Sequence, residues 1–164
     1  MTTRIACILG LLAVLSAACS GDKVQLPVAT SIGNLVRIEE KPSVTTSDGV
    51  IEATSREVVY VLSFEGKKEF AYEGKTETEG PKSLLLIDSR GNRFSPAFAG
   101  TPTPDGIISD KEWLLNGELR GRDGKWVFIG TLSIPEPRIA LVYRVPKSAS
   151  GLVLQDGQQQ HAIE

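Results

Sequence analysis

The chain has 164 residues, with 18 basic and 20 acidic side chains and a formal net charge of −2, which gives no field strong enough to recruit nucleic acid. Its only cysteines are Cys7 and Cys19, and its only histidine is His161. Because His161 lies in a polar segment near the C-terminus, we expect neither a zinc site built from cysteine and histidine nor a histidine-dependent catalytic triad.

The first nineteen residues are typical of an export signal. Arg4 provides a positive charge, residues 5–15 form an apolar run, and residues 16–18 are small and directly precede Cys19. The apolar run is too short for a stable membrane span, which needs about 20 residues. We therefore expect residues 1–18 to be a signal peptide that is removed, which leaves 146 of the 164 residues, the length of one ordinary domain.

Residues 15–19 read Leu-Ser-Ala-Ala-Cys and resemble the cleavage region of bacterial lipoprotein signals, in which a leucine normally stands at the position of Ser16. The resemblance implies that Cys19 carries a diacylglycerol and a further acyl chain such as palmitate, and that these chains hold the protein on a bilayer. With Ser20 after the cysteine, it implies the outer membrane facing the periplasm in a Gram-negative host, and otherwise the outer face of the cytoplasmic membrane. The alternative is ordinary signal-peptidase cleavage, which leaves a free thiol at Cys19.

After this cysteine, residues 19–31 are polar, contain Pro27 and are predicted to form a tether, and the folded domain is predicted over residues 32–155. Residues 34–40 are typical of an edge strand. Residues 57–64 are predicted to be a central strand, because both of their faces are largely apolar.

Four further stretches are predicted to lack regular structure or are left open. Residues 65–81 are rich in charge, glycine and threonine and are predicted to be a solvated loop or long hairpin, and residues 96–106 contain three prolines and two glycines. For residues 107–119 the pattern allows either a strand or a short helix. A capping box at residues 109–112 favours the helix. Residues 156–164 have few apolar groups and are predicted to be a disordered polar tail.

The C-terminal half has the clearest alternation. Residues 84–87 form an apolar run that is followed by a turn and a return at residues 93–94. In residues 138–145 the inward set is predicted to be Ile139, Leu141, Tyr143 and Val145, and the outward set Arg138, Ala140, Val142 and Arg144. About seven short strands and no long helix favour a β-sandwich, with a small closed barrel as the runner-up.

Two segments of this half are similar to a family of bacterial immunoglobulin-like domains of unknown function. Residues 84–94 contain a strand, an Asp-x-x-Gly turn and an aromatic return, and residues 135–154 run from a proline break through a strand ending in Val-Pro to a short leucine-containing strand. The family's usual glycine in the break is absent. The resemblance implies an all-β fold, an immunoglobulin-like β-sandwich of about seven strands, and it carries over no catalytic residues.

The sequence offers no convincing set of residues for catalysis or metal binding. Four side chains are possible calcium ligands: Asp88, Asn92, Asp105 and Asp110. Their spacing matches no EF-hand loop, and Asp and Asn recur in turns for backbone reasons. The acidic pairs that a glycosidase would need lie in segments predicted to be exposed. We expect no metal, no cofactor and no catalytic residue.

Two tryptophans are candidates for contacts. Trp126 shares a predicted strand face with Phe128 and is assigned to the core. Trp113 borders the proline-rich stretch, where it is a possible partner contact, and the alternative is that it covers the end of the sandwich.

These patterns predict a lipid-anchored lipoprotein of the bacterial cell envelope that serves as a non-catalytic binding or accessory module for another envelope component. Its expected contacts are the lipid bilayer, through acylated Cys19, and an envelope protein, with no nucleic acid. The alternatives are a carboxylate-dependent enzyme that acts on cell-wall glycan or lipid and a purely structural envelope protein.

Overall fold

The computed structural model describes residues 26–74, 84–108, 114–122 and 125–163. These residues form fifteen β-strands and no helix, which confirms the predicted all-β class and exceeds the expected seven strands. The strands, in chain order, are β1 (Val28–Thr30), β2 (Gly33–Lys41), β3 (Ser43–Thr46), β4 (Gly49–Glu52), β5 (Glu57–Gly66), β6 (Glu69–Gly74), β7 (Leu84–Ile87), β8 (Arg93–Phe94), β9 (Phe98–Thr103), β10 (Gly106–Ile108), β11 (Leu114–Arg122), β12 (Lys125–Ser133), β13 (Arg138–Pro146), β14 (Val153–Asp156) and β15 (Gln159–Ala162).

The described strands form three sheets. The main sheet has eight strands in the order β1-β2-β5-β13-β9-β10-β3-β4, and the smaller sheets are β11-β12-β6 and β15-β14-β7-β8. β5 lies between β2 and β13, so the prediction of a central strand is confirmed. The strand, turn and return predicted for residues 84–94 are also confirmed, because β7 pairs with β8.

The main sheet is strongly curled. Only Pro42 separates β2 from β3, although four strands lie between them in the sheet order. Neighbouring strands are about 4.8 Å apart, so a flat sheet would hold β2 and β3 about 24 Å apart. Two residues joined through a single residue are at most about 7 Å apart. The sheet must therefore bend until these strand ends meet at Pro42, and its inner face encloses side chains as a barrel does.

Both faces of the curled sheet are buried at its centre. On the outer face, apolar residues of β5 and β13 pack against both smaller sheets. This cluster contains Leu62, Phe64, Leu141 and Tyr143 of the main sheet, Phe70 and Leu132 of the three-stranded sheet, Leu84, Leu86 and Leu154 of the four-stranded sheet, and Leu152 before β14. On the inner face, a second cluster contains Val44, Val59, Val61, Phe98, Ile107, Ala140 and Val142. The smaller sheets therefore cover one face of the main sheet in a sandwich-like arrangement.

The second cluster corrects the predicted orientation of β13. Ala140 and Val142 were expected to face solvent, but each is 0% exposed. Alternation along one strand distinguishes its two faces and does not reveal that the sheet curls over the second face. The inward set of β13 is confirmed, since Ile139, Leu141 and Tyr143 all belong to the first cluster.

A buried hydrogen bond joins the main sheet to the four-stranded sheet. The hydroxyl of Tyr143 donates to the carbonyl oxygen of Leu84 at 3.2 Å. Burial raises the pKa of the Tyr143 phenol far above its ordinary value, so the hydroxyl keeps the proton that it donates. The bond satisfies the buried hydroxyl of Tyr143, as buried polar groups require.

The prediction that residues 96–106 are irregular is wrong, because β9 lies within this stretch and β10 begins at its last residue. A proline disrupts a strand by removing a ladder hydrogen bond. β9 pairs with β13 only over Phe98–Gly100, so Pro102 lies beyond that ladder and leaves it intact. The number of prolines in this segment was therefore a poor guide to whether it forms a strand.

The predicted domain limits also need correction at both ends. β1 lies inside the predicted tether and pairs with β2, and β15 lies inside the predicted disordered tail and pairs with β14. Backbone pairing can order a polar segment, and the tail adds Ile163, which is 7% exposed. Asp156 joins the two ends: it accepts hydrogen bonds from the backbone N–H of Ser31 at 2.5 Å and from its hydroxyl at 2.6 Å. The described strands therefore begin before residue 32 and end after residue 155.

Strands lie in the stretch predicted to be a solvated loop or long hairpin and in the stretch for which the sequence allowed a strand or a helix. Residues 69–74 form β6, in which Phe70 and Tyr72 are buried, so this part of the predicted solvated loop is packed. Residues 114–122 form β11, so the strand alternative is confirmed for that part of the chain. The predicted capping box at residues 109–112 lies outside the described residues.

Candidate binding groove

A groove of about 360 Å³ opens on the inner face of the curled sheet. Val61 and Ala140, on the two central strands, lie at its floor. β2 provides one wall, and β3 with the turn between β9 and β10 provides the other. The groove exists because β2 and β3 meet at Pro42 and diverge from there.

β2 places a row of charged side chains along the groove. Arg37, Glu39 and Lys41 alternate with Ile38 and Glu40, so all three point to the same face of the strand. Nη2 of Arg37 and Nζ of Lys41 each lie 2.9 Å from Oε1 of Glu39. The side chain of Glu39 is 23% exposed and that of Arg37 is 66% exposed. The row therefore has a net charge of +1 and presents its guanidinium to solvent.

The opposite wall is polar and closely packed. Its lining includes Ser43, Thr45, Thr103, Pro104 and Asp105. Gly106 lets β3 approach the turn, since its φ is 149° and a Cβ there would lie 2.5 Å from the carbonyl oxygen of Thr45. Small-molecule pockets are usually lined by apolar and aromatic side chains, whereas polar and apolar groups contribute about equally here. This lining suits a ligand that is itself rich in hydrogen-bonding groups.

The outer edge of β2 borders the same groove. β1 covers only Gly33–Leu35, and beyond Leu35 the described pairings of β2 are with β5 alone. A strand edge of this kind offers backbone N–H and C=O groups to an incoming extended chain. The predicted edge strand at residues 34–40 is thus confirmed for the part beyond Leu35.

Asp88, one of the four possible calcium ligands, closes the turn after β7. Its side chain is 0% exposed, and its carboxylate accepts the backbone N–H groups of Arg90 and Asn92, both at 2.9 Å, and the side-chain amide of Asn92 at 2.7 Å. Asp105 lies at the groove, and Asp110 lies outside the described residues. Within the described ranges, no group of three or more His, Cys, Asp or Glu side chains is placed to hold a metal.

The Asp88 turn predicts a pH dependence. The Asn92 side-chain amide, more than any other cause, lowers the pKa of Asp88 below its ordinary value of 3.8. Ionised Asp88 therefore stabilises the fold fully above about pH 3.8, and this contribution is lost as the pH falls through the lower pKa of the folded state. We expect Asp88→Asn to have a lower urea midpoint than the wild type at pH 7, and the gap to close below pH 3.8.

Asn92→Ala is the matched variant for this prediction. It removes the largest cause of the lowered pKa and keeps the carboxylate. Asp88→Asn should therefore lower the urea midpoint more in the wild-type background than in the Asn92→Ala background, where the comparison is with the double variant Asp88→Asn/Asn92→Ala. An NMR titration should show the pKa of Asp88 higher in Asn92→Ala. A gap between wild type and Asp88→Asn that stays constant from pH 7 to pH 3 would contradict the role of the ionised carboxylate.

The residues proposed for lipid attachment and for partner contact lie outside the described residues. Cys19 and Trp113 are not among the described residues, and for Trp126 only the backbone is described, within β12. Lipid attachment at Cys19 and partner contact at Trp113 therefore stay predictions. Among the described residues, no helix is long and apolar enough to cross a membrane.

Sequence reasoning missed the groove. The alternating charges of residues 37–41 were the available signal, because a strand places every second side chain on one face. The sequence pattern did not indicate which residues form the opposite wall of the groove. Thr103 and Asp105 are more than sixty residues away in sequence, and only the curl of the main sheet brings them to β2.

No family model, no curated protein and no solved structure matches this chain. The fold and the site define an all-β protein with a sandwich-like core and a charged groove on the inner face of its main sheet.

Proposed function

We propose that the protein is a lipid-anchored, non-catalytic binding module of the bacterial cell envelope, and that the groove beside β2 binds another envelope protein. The observation that carries the proposal is the charged row of Arg37, Glu39 and Lys41 next to a strand edge that, beyond Leu35, pairs with no described strand. The anchor is the acylated Cys19 implied by the lipoprotein-like signal. The proposed location is the outer membrane facing the periplasm in a Gram-negative host, and otherwise the outer face of the cytoplasmic membrane.

The groove favours an extended segment of the partner as its occupant. From Arg37 to Lys41 the wall is about 13 Å long at 3.3 Å per residue, which matches four or five residues of an extended chain. Such a segment can bond to the free edge of β2 and to the hydroxyls of Ser43 and Thr45. An acidic side chain on it would pair with the exposed guanidinium of Arg37.

The immunoglobulin-like family stays part of the proposal. Its support is the position of three elements that the resemblance uses: β7, β8 and β13 lie where residues 84–94 and 135–154 predicted a strand, a return and a long apolar strand. Domains of this type commonly bind through loops and strand edges, which agrees with the proposed use of β2.

Site-specific photo-crosslinking in intact cells of the host tests the proposal. A photo-reactive residue at Thr45, which is exposed in the groove, should capture a discrete envelope protein, and the same residue at Lys68, exposed elsewhere, should not. Arg37→Glu reverses the charge that meets the partner's acid, and we expect it to reduce capture at least tenfold, a change of about 1.4 kcal/mol. Cys19→Ala should lose labelling by palmitate and, because the protein leaves the membrane, should also lose capture.

Arg120→Glu is the matched control for Arg37→Glu. Arg120 lies on β11 and, like Arg37, is exposed and paired with a glutamate two residues away, Glu118. It should leave capture unchanged. Equal capture from Thr45 and Lys68, or equal loss in both arginine variants, would refute binding in the groove. Palmitate labelling that persists in Cys19→Ala would refute the anchor separately.

A carboxylate-dependent enzyme is the second candidate, and one observation favours it: Glu39 and Asp105 line the same groove. Its weakness is that Arg37 and Lys41 both form ion pairs with Glu39, so this carboxylate is engaged instead of free for acid–base work. We expect no hydrolysis of purified cell-wall glycan or envelope lipid. Turnover that is lost in both Glu39→Gln and Asp105→Asn would establish the enzyme and replace the binding proposal.

A further inference from the structure

Three connections meet at one end of the fold. The backbone N–H of Lys147, after β13, donates to the carbonyl oxygen of Arg56, before β5, at 2.8 Å. Nη2 of Arg90, in the turn after β7, donates to the carbonyl oxygen of Ser148 at 3.1 Å. These contacts make the three connections a single surface, which we call the basic end.

The described side chains at the basic end are mostly cationic. Its cations are Arg56, Arg90, Arg93, Arg144 and Lys147, and its acids are Glu40, Glu52, Glu57 and Asp88, whereas Lys41 is paired with Glu39 in the groove. Asp88 is inaccessible and its carboxylate already accepts three N–H groups. Five cations therefore face three accessible acids.

The opposite end of the main sheet does not share this bias. Its described charged residues are Lys67, Lys68, Arg138, Glu65, Glu69, Glu136 and Asp156. Four acids and three cations give a net charge of −1 there, and the whole chain has a net charge of −2. The positive charge is thus concentrated at one end of a weakly acidic protein, which orients it in the field of a charged surface.

The chain enters the fold from the side of the basic end. β1 is antiparallel to β2 and finishes with Thr30 beside Gly33, and Gly33 pairs with Gly66 at the opposite end of the sheet. The chain before Val28 therefore approaches from the direction of the basic end. From Cys19 to Leu26 there are seven residue steps, which span at most about 25 Å, so an anchor at Cys19 is within reach of the bilayer surface that the basic end would contact.

From these observations we infer that the basic end docks onto the phosphate groups of anionic phospholipids in the bilayer that holds the acyl anchor. The inference rests on the proposed anchor at Cys19. Arginine and lysine near a bilayer surface are attracted to anionic headgroups within about 10 Å at moderate salt. In this orientation the turn at Thr103–Asp105, which lines the groove, lies away from the membrane, so the groove stays open to a partner.

Hydrogen exchange on tethered protein tests this inference. Cys19 is the single cysteine of the chain after residue 18, so maleimide coupling to a lipid supplies the anchor chemically. On vesicles of phosphatidylcholine with phosphatidylglycerol, amides of residues 54–56, 89–92 and 147–150 should exchange several-fold more slowly than on phosphatidylcholine alone. The double variant R56E/K147E should lose this protection, and so should the wild type at 1 M salt, where the screening length is about 3 Å.

The matched control is K68E/R138E, which makes the same change of charge at the opposite end and should keep the protection. R56Q/K147Q, which removes the charges without reversing them, should show an intermediate loss, and all variants should match the wild-type exchange in solution. Equal protection on neutral vesicles, protection of the opposite end, or unchanged protection in R56E/K147E would overturn the inference. Inorganic phosphate that protects the same amides on neutral vesicles would also overturn it, in favour of a small-anion site. Since coupling replaces natural lipidation, palmitate labelling in cells tests the anchor independently.

Discussion

Val142→Asp is expected to lower the free energy of unfolding by more than about 4 kcal/mol at neutral pH, because it places an unpaired carboxylate in the second apolar cluster. Val142 is 0% exposed and packs with residues of the inner face. Val142→Ala, which removes two methyl groups, should cost about 2 kcal/mol. Urea unfolding followed by tryptophan fluorescence measures both values.

Arg144→Ala is the control for Val142. It lies two residues further along β13 on the same face and is exposed, with its guanidinium bonded to the carbonyl oxygen of Glu52 at 3.0 Å. Its loss should cost no more than about 1 kcal/mol. If Val142→Ala changed stability by less than about 0.5 kcal/mol, as expected for a surface residue, the buried inner face would be refuted.

Gly130→Ala is expected to destabilise the pairing of β11 with β12 by about 2–3 kcal/mol. Gly130 lies opposite Gly117, and a Cβ at Gly130 would overlap the carbonyl oxygen of Asn116 and lie 2.7 Å from Cα of Gly117. Both obstacles are backbone atoms, so no side chain can rotate away, and the strands must separate locally. Hydrogen exchange of residues 114–122, together with urea unfolding, reports the effect.

Gly157→Ala separates this clash from the general cost of replacing a glycine. Gly157 has a φ of 60° and nothing within 4 Å of an added Cβ, so only the left-handed backbone is penalised, by about 1 kcal/mol. We expect Gly157→Ala to leave the exchange of β11 unchanged. Equal destabilisation by the two substitutions, or normal exchange of β11 in Gly130→Ala, would argue against the close approach of the two strands.

The proposals assign three tasks to separate parts of the molecule. Acylated Cys19 holds the protein on the membrane, the basic end around Arg56 and Lys147 sets its orientation, and the groove beside Arg37 binds a partner. Because these parts do not overlap, each can be removed by substitution without disturbing the others. The crosslinking and exchange experiments therefore report on different steps.

Local sequence patterns were sufficient wherever a structural feature depends on neighbouring residues. The alternation of residues 57–64 and 138–145 correctly predicted two long strands, and the Asp88 turn was correctly placed because its hydrogen bonds span only four residues. Proline and polarity misled at residues 96–106 and 156–164. There the deciding factor was pairing with a strand distant in sequence, which composition does not encode.

The sequence by itself determined the all-β class, the long strands at residues 57–64 and 138–145 and the edge position of β2 beyond Leu35, since each depends on periodicity. Only the tertiary structure decided that Val142 is buried, that Arg37 and Asp105 line one groove, and that Arg56, Arg90 and Lys147 share one end. The reason is the curl of the main sheet and the meeting of its connections. Both bring together residues that are far apart along the chain, and no local pattern of charge or hydropathy specifies which of them will meet.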